Sequence, residues 1–436
     1  MVRQADTFII LPNEQSLNYV KTELNSEKLT DSSIEIELYF DSSSKRLATP
    51  WQVAEVRTQF LNALPLAKGH ILDPACGAGI QLAALANNLG RQVIGIEIDE
   101  FRARLAAANI HQCFKLESES KILTNSLIVC GDCTNIKENI TLIKQHFTQE
   151  EITISLLHLD PARPRNSRKH QINEMKPKIR DVLVAWKPFL NCGKRGPAIL
   201  LDLSPRLSPS QQKQIESIVK SLWPDIELTW QWMSRGDGRI DRLTLWIGAI
   251  SQSGIDRRFV RIPPDNNQSI LVVTSYDGWE NERLMDTSAI VNIGEYVSIL
   301  DSALVASGLT VAWLQRAISD GDKAELISLS ERRPKIRHEK PLKFIHPLDY
   351  KMLRASGRVI GFTEKELNGK NLDEIINQAK NLGFGKITLR LSLNPTQQPK
   401  FQRFFDRNLA RTSDCKVGFI VQCNKGRLIY CENTLL

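Results

Sequence analysis

An α/β fold built on one mostly parallel sheet is what this sequence predicts, and two observations carry the prediction. Between about residues 66 and 250, short apolar runs alternate with helical stretches, the pattern of parallel strands joined by crossover helices. The runs are "HILDP", "QVIGIEID", "SLIVCGD", "ISLLHLDP", "AILLDLSP", "IELTWQWM" and "RLTLWIGAI", which predicts seven strands. The last two are separated only by the short turn "SRGDGRID", so they are expected to close the sheet as an antiparallel hairpin.

The flanking regions read differently. Residues 1–65 form a helical N-terminal segment with "NEQSLNYVKTEL" and "TPWQVAEVRTQFLNAL", the second with Thr49 as cap and Pro50 at the first helical position. Residues 251–345 are expected to connect, with short strands around "RRFVRIPPDNNQSILVVTSY" and a helix in "VSILDSALVASGL". Residues 346–436 read strand, helix, strand, helix and hairpin, enough for a small α/β domain with its own core. There "KITLRLSL" puts Lys386, Thr388, Arg390 and Ser392 on one face of a strand and Ile387, Leu389, Leu391 and Leu393 on the other.

Composition narrows the function classes. A chain of 436 residues suggests two or three domains, and 42% hydrophobic with 24% charged residues is ordinary for a globular protein. No apolar run approaches the length of a membrane span, and the start resembles no signal peptide, so a cytoplasmic protein without a membrane partner is expected. Eight scattered cysteines are too few for a disulfide scaffold. Cys130 and Cys133 form a lone C-x-x-C with no second pair at zinc spacing, so no metal site is expected. The formal net charge of +8 favours polyanionic partners, with basic clusters at "RRPKIRHEKPLK" (Arg332 to Lys343) and "RPRNSRKH" (Arg163 to His170). Such clusters also occur as solvated loops, and the charge alone does not name the polyanion.

The most informative stretch is "ILDPACGAG". Asp73 ends the first strand, and Ala75, Gly77 and Gly79 lie in the turn before a helix, where glycine lets backbone approach a ligand and the helix aims free N–H groups at a polar tail. Alone, such a turn fits a phosphate, a dinucleotide or an amino-acid-like ligand. Glu97 ends the second strand, where a carboxylate accepts from two ribose hydroxyls. Asp132 follows the third, placed to accept from an exocyclic amine while the Cys133 backbone N–H donates to a ring. The turn lacks a full G-x-G-x-x-G, so adenosine carrying an amino acid fits better than a dinucleotide.

These residues resemble the class I S-adenosylmethionine-dependent methyltransferases over about residues 66–250. The resemblance implies a Rossmann-like fold that binds S-adenosyl-L-methionine. Gly77 and Gly79 would pass under the methionine part, Glu97 would hold the ribose and Asp132 would set the adenine. Thr49 and Pro50 resemble the element that closes over the methionine end in several base methyltransferases, a reading that stands beside plain helix capping.

The fourth strand ends in "DPAR", similar to the Asp/Asn-Pro-Pro-aromatic motif of amine-methylating enzymes, with Arg163 replacing the aromatic. It is also similar to the Asp-Pro-Pro-Arg of RNA uracil C5 methyltransferases, but "LDLSP" offers Ser204 where those enzymes place a cysteine, and a serine without an adjacent base is a poor nucleophile. Over its full length the chain resembles bacterial methyltransferases with a C-terminal THUMP-like domain, through "ATPWQVAEVR", "DPAR", "LSPRL" and the terminal α/β region. It departs from them at Pro164, where a second Arg is usual, and at Asp202, where a Lys is usual, both read as lost positive charge beside the substrate pocket. The resemblance implies methylation of an RNA nucleotide, with Asp160 orienting or deprotonating the acceptor and Arg163 fixing a base or phosphate. A protein or small-molecule acceptor, and a non-catalytic RNA-binding protein, are the alternatives.

Overall fold

The computed structural model describes residues 7–23, 27–30, 37–40, 49–114, 125–148, 151–162, 171–236, 239–264, 269–275, 290–317, 324–328, 334–342, 344, 347–409, 415–422 and 426–434. They divide into two compact units: 1–231 with 242–256, and 232–241 with 257–436.

In the first unit the strands are β1 (Phe8–Ile10), β2 (Glu27–Thr30), β3 (Glu37–Phe40), β4 (His70–Asp73), β5 (Val93–Glu97), β6 (Leu127–Cys130), β7 (Ile154–Leu159), β8 (Ala198–Leu203) and β10 (Arg242–Gly248). Strand β9 (Leu228–Ser234) passes from this unit into the second after Gln231. The helices are α1 (Glu14–Glu23), α2 (Trp51–Asn62), α3 (Ile80–Leu89), α4 (Glu100–Cys113), α5 (Ile136–Phe147), α6 (Ile179–Trp186) and α7 (Pro209–Leu222).

The sheet runs β1-β6-β5-β4-β7-β8-β10, with β9 beyond β10. Strands β4 through β8 pair in parallel, while β10 is antiparallel to β8. All seven apolar runs of the sequence lie on strands of this sheet, and Asp237 and Gly238 in the expected hairpin turn lie outside the described residues. The N-terminal segment, expected to be helical, also adds strand: β1 pairs antiparallel to β6 and β2 pairs with β3. The parallel strands are buried along their whole length, as strands covered on both faces must be. One large core cluster joins α1, α2, α3 and α4 to the sheet through Leu17, Leu61, Leu85, Ala106 and Ile128.

Chain order reverses at β4, whose sequence neighbour β5 lies on one side and β7 on the other. In open α/β sheets the crevice at the carboxyl ends beside such a reversal is where ligands bind. The chain leaves β4 there and enters α3 through Gly77 (φ 54°) and Gly79 (φ 73°), both in the left-handed region that favours glycine. Their surroundings differ. A Cβ on Gly79 would lie 2.8 Å from the Cα and Cβ of Ala106 in α4, whereas one on Gly77 would meet nothing within 4 Å.

In the second unit β11 (Arg257–Arg261) and β12 (Leu271–Thr274) form an antiparallel pair, followed by β13 (Tyr296–Leu300), α8 (Ser302–Ser307) and α9 (Thr310–Ala317). Then come β14 (Ala324–Ser328), β15 (Lys335–His338), β16 (Leu353–Thr363), α10 (Leu372–Asn381), β17 (Phe384–Leu389), α11 (Gln398–Asn408), β18 (Lys416–Gln422) and β19 (Leu428–Asn433). A seven-stranded sheet has the order β14-β15-β13-β16-β19-β18-β17, so strands of the expected connecting region and of the terminal region share one sheet. Ile387, Leu389 and Leu391 are buried among residues of α10 and α11, while Lys386 and Ser392 are exposed and Thr388 and Arg390 half-buried, the alternation that "KITLRLSL" predicts.

The two glycines of the α3 turn should respond differently to a methyl group. Gly77→Ala is expected to cost about 1 kcal/mol, the left-handed penalty alone. Gly79→Ala is expected to cost about 3 kcal/mol, because α4 must also shift. Urea unfolding checks the order; equal losses would remove the Ala106 contact as the reason for Gly79.

Candidate functional site

The carboxyl ends of β4, β5, β6 and β7 bring together most of the residues singled out in the sequence. Asp73 is buried at the end of β4, and its Oδ1 accepts the Ala75 N–H at 3.1 Å, which shapes the start of the glycine turn. Helix α3 has Gly79 as its N-cap and no side-chain cap. Its first-turn N–H groups are therefore available to a polar ligand. The open side of Gly77 adds room for one.

Glu97 ends β5 beside that turn. Its Oε2 accepts the Gly77 N–H at 2.9 Å and its Oε1 accepts the Asp99 N–H at 3.0 Å, so the carboxylate fastens the turn to the next strand. Each carboxylate oxygen has a second lone pair for a ligand hydroxyl. Burial raises the Glu97 pKa against the lowering effect of the Asp99 N–H, the Arg102 charge and the Gly77 N–H. The next residue, Ile98, is 71% exposed, an apolar side chain at the rim that the sequence reading did not single out. A flat heteroaromatic ring could cover it.

Asp132 is exposed after β6, its Oδ1 accepting from the Thr134 N–H at 2.8 Å and hydroxyl at 2.7 Å, with Oδ2 open among the described residues. Cys133 is buried, its carbonyl accepting from the Trp186 indole at 3.1 Å. Burial, then the Asp132 charge, pushes the Cys133 thiol up to about 12, and burial pushes Cys130 up to about 11. Both thiols are therefore protonated near neutrality. Among the described residues no group of three or more His, Cys, Asp or Glu could hold a metal ion, and no described helix is long and apolar enough to cross a membrane.

Asp160 follows β7 and is half-buried, and the chain beyond it is held where the backbone of Ala162 exchanges two hydrogen bonds with Lys176, at 2.7 and 2.9 Å. Arg163 lies outside the described residues, as does the rest of the basic cluster to His170. Of the other cluster, Arg332, Arg333 and Lys343 lie outside them, while Lys335 is fully buried in β15 and does not face solvent.

Two expectations are corrected. Thr49 does not cap α2: Pro50 holds the N-cap position with extended backbone, and the Thr49 hydroxyl instead accepts from Arg242 Nη2 at 2.8 Å and Nε at 3.2 Å. A guanidinium competes better for that oxygen than the backbone does. Asp202 is not charge removed from a substrate pocket. It is 1% exposed, and its Oδ2 accepts from Arg57 Nη1 at 2.8 Å while Oδ1 accepts from the Thr244 hydroxyl at 2.7 Å.

That pair belongs to a buried chain of charges the sequence reading missed. His158 in β7 places Nδ1 2.7 Å from Asp73 Oδ2 and Nε2 3.4 Å from Asp202 Oδ2, and Arg57 Nη1 also reaches Gln81 Oε1 in α3 at 2.9 Å. Burial alone would lower the His158 pKa; the Asp73 charge and the hydrogen bonds to Asp202 and Asp73 overcome it and raise it to about 9. Burial likewise opposes ionisation of Asp202, and the Arg57 charge and then His158 hold its carboxyl well below the usual range. Near neutrality the four groups alternate in sign: Asp73, His158, Asp202, Arg57. The histidine within the apolar run "SLLHLD" was the only signal in the sequence; Arg57 and Asp202 are 145 residues apart.

Two surface grooves in the first unit lie elsewhere. One of about 520 Å³ is lined by Arg195, Trp223 and Glu227 at the amino ends of β8 and β9, and one of about 560 Å³ by Ile172, Arg180 and Gln214. The case for the crevice outside β4 and β7 rests on the donors and carboxylates that converge there.

No family model matches the sequence, and no curated protein does. Among solved structures, the chain is similar to an rRNA methylase from Streptococcus thermophilus, at 11% identity and a TM-score of 0.28 over 44% of this chain and 93% of that one. It is similar to a type I restriction-modification methyltransferase subunit from the same organism, at 14% identity and a TM-score of 0.32 over 49% and 47%. A third is phosphoethanolamine N-methyltransferase 2 from Haemonchus contortus in complex with S-adenosyl-L-methionine, at 15% identity and a TM-score of 0.26 over 40% and 38%. Likenesses this distant carry no argument about chemistry, which rests on the residues above.

The charge chain makes two outcomes testable. His158 has its pKa raised from about 6.5 unfolded to about 9 folded, so its stabilisation is complete below about pH 6.5 and is lost as pH rises through 9. The loss is on the order of 3 kcal/mol, and unfolding of His158→Gln should lack this part of the pH dependence; equal slopes would refute the assignment. Arg57→Leu removes the arginine partner of the buried Asp202 and should cost about 3–5 kcal/mol, with part recovered in Arg57→Leu/Asp202→Leu. Denaturant midpoints of the single and double variants check this.

Proposed function

We propose that the chain transfers a methyl group from S-adenosyl-L-methionine to a nucleotide of RNA. The observation that carries the reading is the convergence of Asp73, the open glycine turn, Glu97 and Asp132 at the ends of β4, β5 and β6. The strand order β6-β5-β4-β7-β8-β10-β9, with β10 antiparallel to β8, supports it as the seven-stranded layout expected of a Rossmann-like methyltransferase.

In this reading the uncapped first turn of α3 and the turn backbone take the amino-acid end of the cofactor, Glu97 takes the ribose hydroxyls, and Ile98 and Asp132 take the adenine ring and its amine. The sulfonium supplies an activated methyl. The protein's own work is then to align the acceptor and remove a proton where the acceptor has one to lose. Asp160, at the end of β7 beside the crevice, takes that role, and Arg163 is assigned a base or phosphate by its place in "DPAR". The excess of positive charge and the terminal α/β region, read as THUMP-like, support RNA as the acceptor.

Incubation of the protein with methyl-labelled S-adenosyl-L-methionine and total cellular RNA tests the proposal. Label is expected in RNA with the wild type and at least 100-fold less with Asp160→Ala, whose cofactor affinity should stay within about threefold. Glu97→Ala should weaken cofactor binding about tenfold or more, by loss of the ribose and turn hydrogen bonds. Cofactor binding without transfer to RNA, with label instead on a protein or small molecule, would overturn the acceptor; binding without any transfer would favour the binding-only alternative.

A further inference from the structure

We propose that His158 is a positioning residue: as a buried cation held between Asp73 and Asp202, it orders the glycine turn for its ligand, so that ligand affinity at the turn follows the protonation of this one imidazole. The ligand part of this inference rests on the cofactor reading above. The ordering of the turn does not.

The geometry carries it. Asp73 has two oxygens with separate tasks: Oδ1 accepts the Ala75 N–H, and Oδ2 lies 2.7 Å from His158 Nδ1. The carboxylate cannot turn toward a different donor without giving up one of them. On the other edge of the ring, Nε2 lies 3.4 Å from Asp202 Oδ2, and Asp202 is itself held by Arg57 and Thr244. A doubly protonated ring is the form that donates from both nitrogens to two carboxylates. Loss of its proton leaves one nitrogen as an acceptor against a carboxylate oxygen, and two buried negative charges without the cation between them.

The charged groups against this ring are Asp73 of β4 and Asp202 of β8, and beyond Asp202 stand the charges of Arg57 in α2 and Arg242 in β10. On the turn side, Cys76 feels Asp73 and Glu97 but is buried and protonated, its thiol raised well above its ordinary value. His158 also lies in β7 two residues before Asp160, which follows the strand, so the strand leading to the acceptor-side acid also fixes the cofactor-side acid.

The test has two arms. In the first, wild-type apo protein with isotope-labelled histidine is titrated by NMR from pH 6 to 10.5, and the backbone amides of Ala75 and Gly77 are followed alongside the His158 ring. The amides are expected to move with the same midpoint as the ring, near pH 9, and to lose that transition in His158→Gln. Amides that do not follow the ring, or a ring that loses its proton below pH 7, overturn the proposal, and the wild-type titration decides this even if the variant does not fold.

In the second arm, binding of S-adenosyl-L-homocysteine is measured by calorimetry at pH 8 and 10. The protonated fraction predicts a loss of about tenfold over that interval in the wild type. The amino group of this ligand titrates in the same range, so the loss is read as the difference from His158→Gln, which should bind more weakly at pH 8 and lack the additional tenfold. Parallel profiles would overturn the coupling to the ligand. If the amides follow the ring while the wild type binds no S-adenosyl-L-homocysteine at any pH, the cofactor reading fails and the positioning of the turn stands.

Discussion

A row of alternating buried charges, Asp73, His158, Asp202 and Arg57, constrains the rest of the first unit. Each group is inaccessible to water, so each depends on its neighbours for the solvation it has lost. The row crosses β4, β7 and β8 side by side and ends in α2, with Thr244 of β10 and Gln81 of α3 as flanking partners. Strands and helices far apart in the chain thereby share one set of polar contacts, and a register slip of one residue on any strand would strand a charge in the core. Apolar packing drives the layers together, while this row specifies how the three central strands align.

The glycine turn stands on that base. Asp73 is held on one side by His158 and spends its other oxygen on the Ala75 N–H; Glu97 reaches across to the Gly77 N–H from the next strand. The turn is thus fixed from both flanks before any ligand arrives, which reduces the ordering that binding must otherwise impose. Gly79 is needed because α4 passes directly against it, and Gly77 because the backbone there is left-handed and faces open space. Two glycines two residues apart answer to different constraints, one inside the protein and one toward the crevice.

The second unit follows a simpler physical pattern. Its seven-stranded sheet buries alternate residues against α10 and α11, and the edge strand β17 turns Lys386 outward while Ile387 and Leu389 face the helices. One set of its buried polar groups is joined locally: Ser298 hydrogen-bonds to both His338 and Ser356, and the second ring nitrogen of His338 lies 2.6 Å from the Lys340 carbonyl.

The sequence by itself determined the α/β alternation, because strand and helix periods are local properties of ten or so residues, and it singled out the glycine turn with Asp73, Glu97 and Asp132, because each ends a strand in a pattern visible within a short window. It also placed the alternating faces of "KITLRLSL". Only the tertiary structure decided what Thr49, Asp202, His158 and Arg57 do. The Thr49 hydroxyl accepts from a guanidinium 193 residues away, and Asp202 meets an arginine 145 residues away. The partners of a buried charge are set by which strands lie side by side. Strand order is a long-range result of packing, and no local pattern of residue types records it.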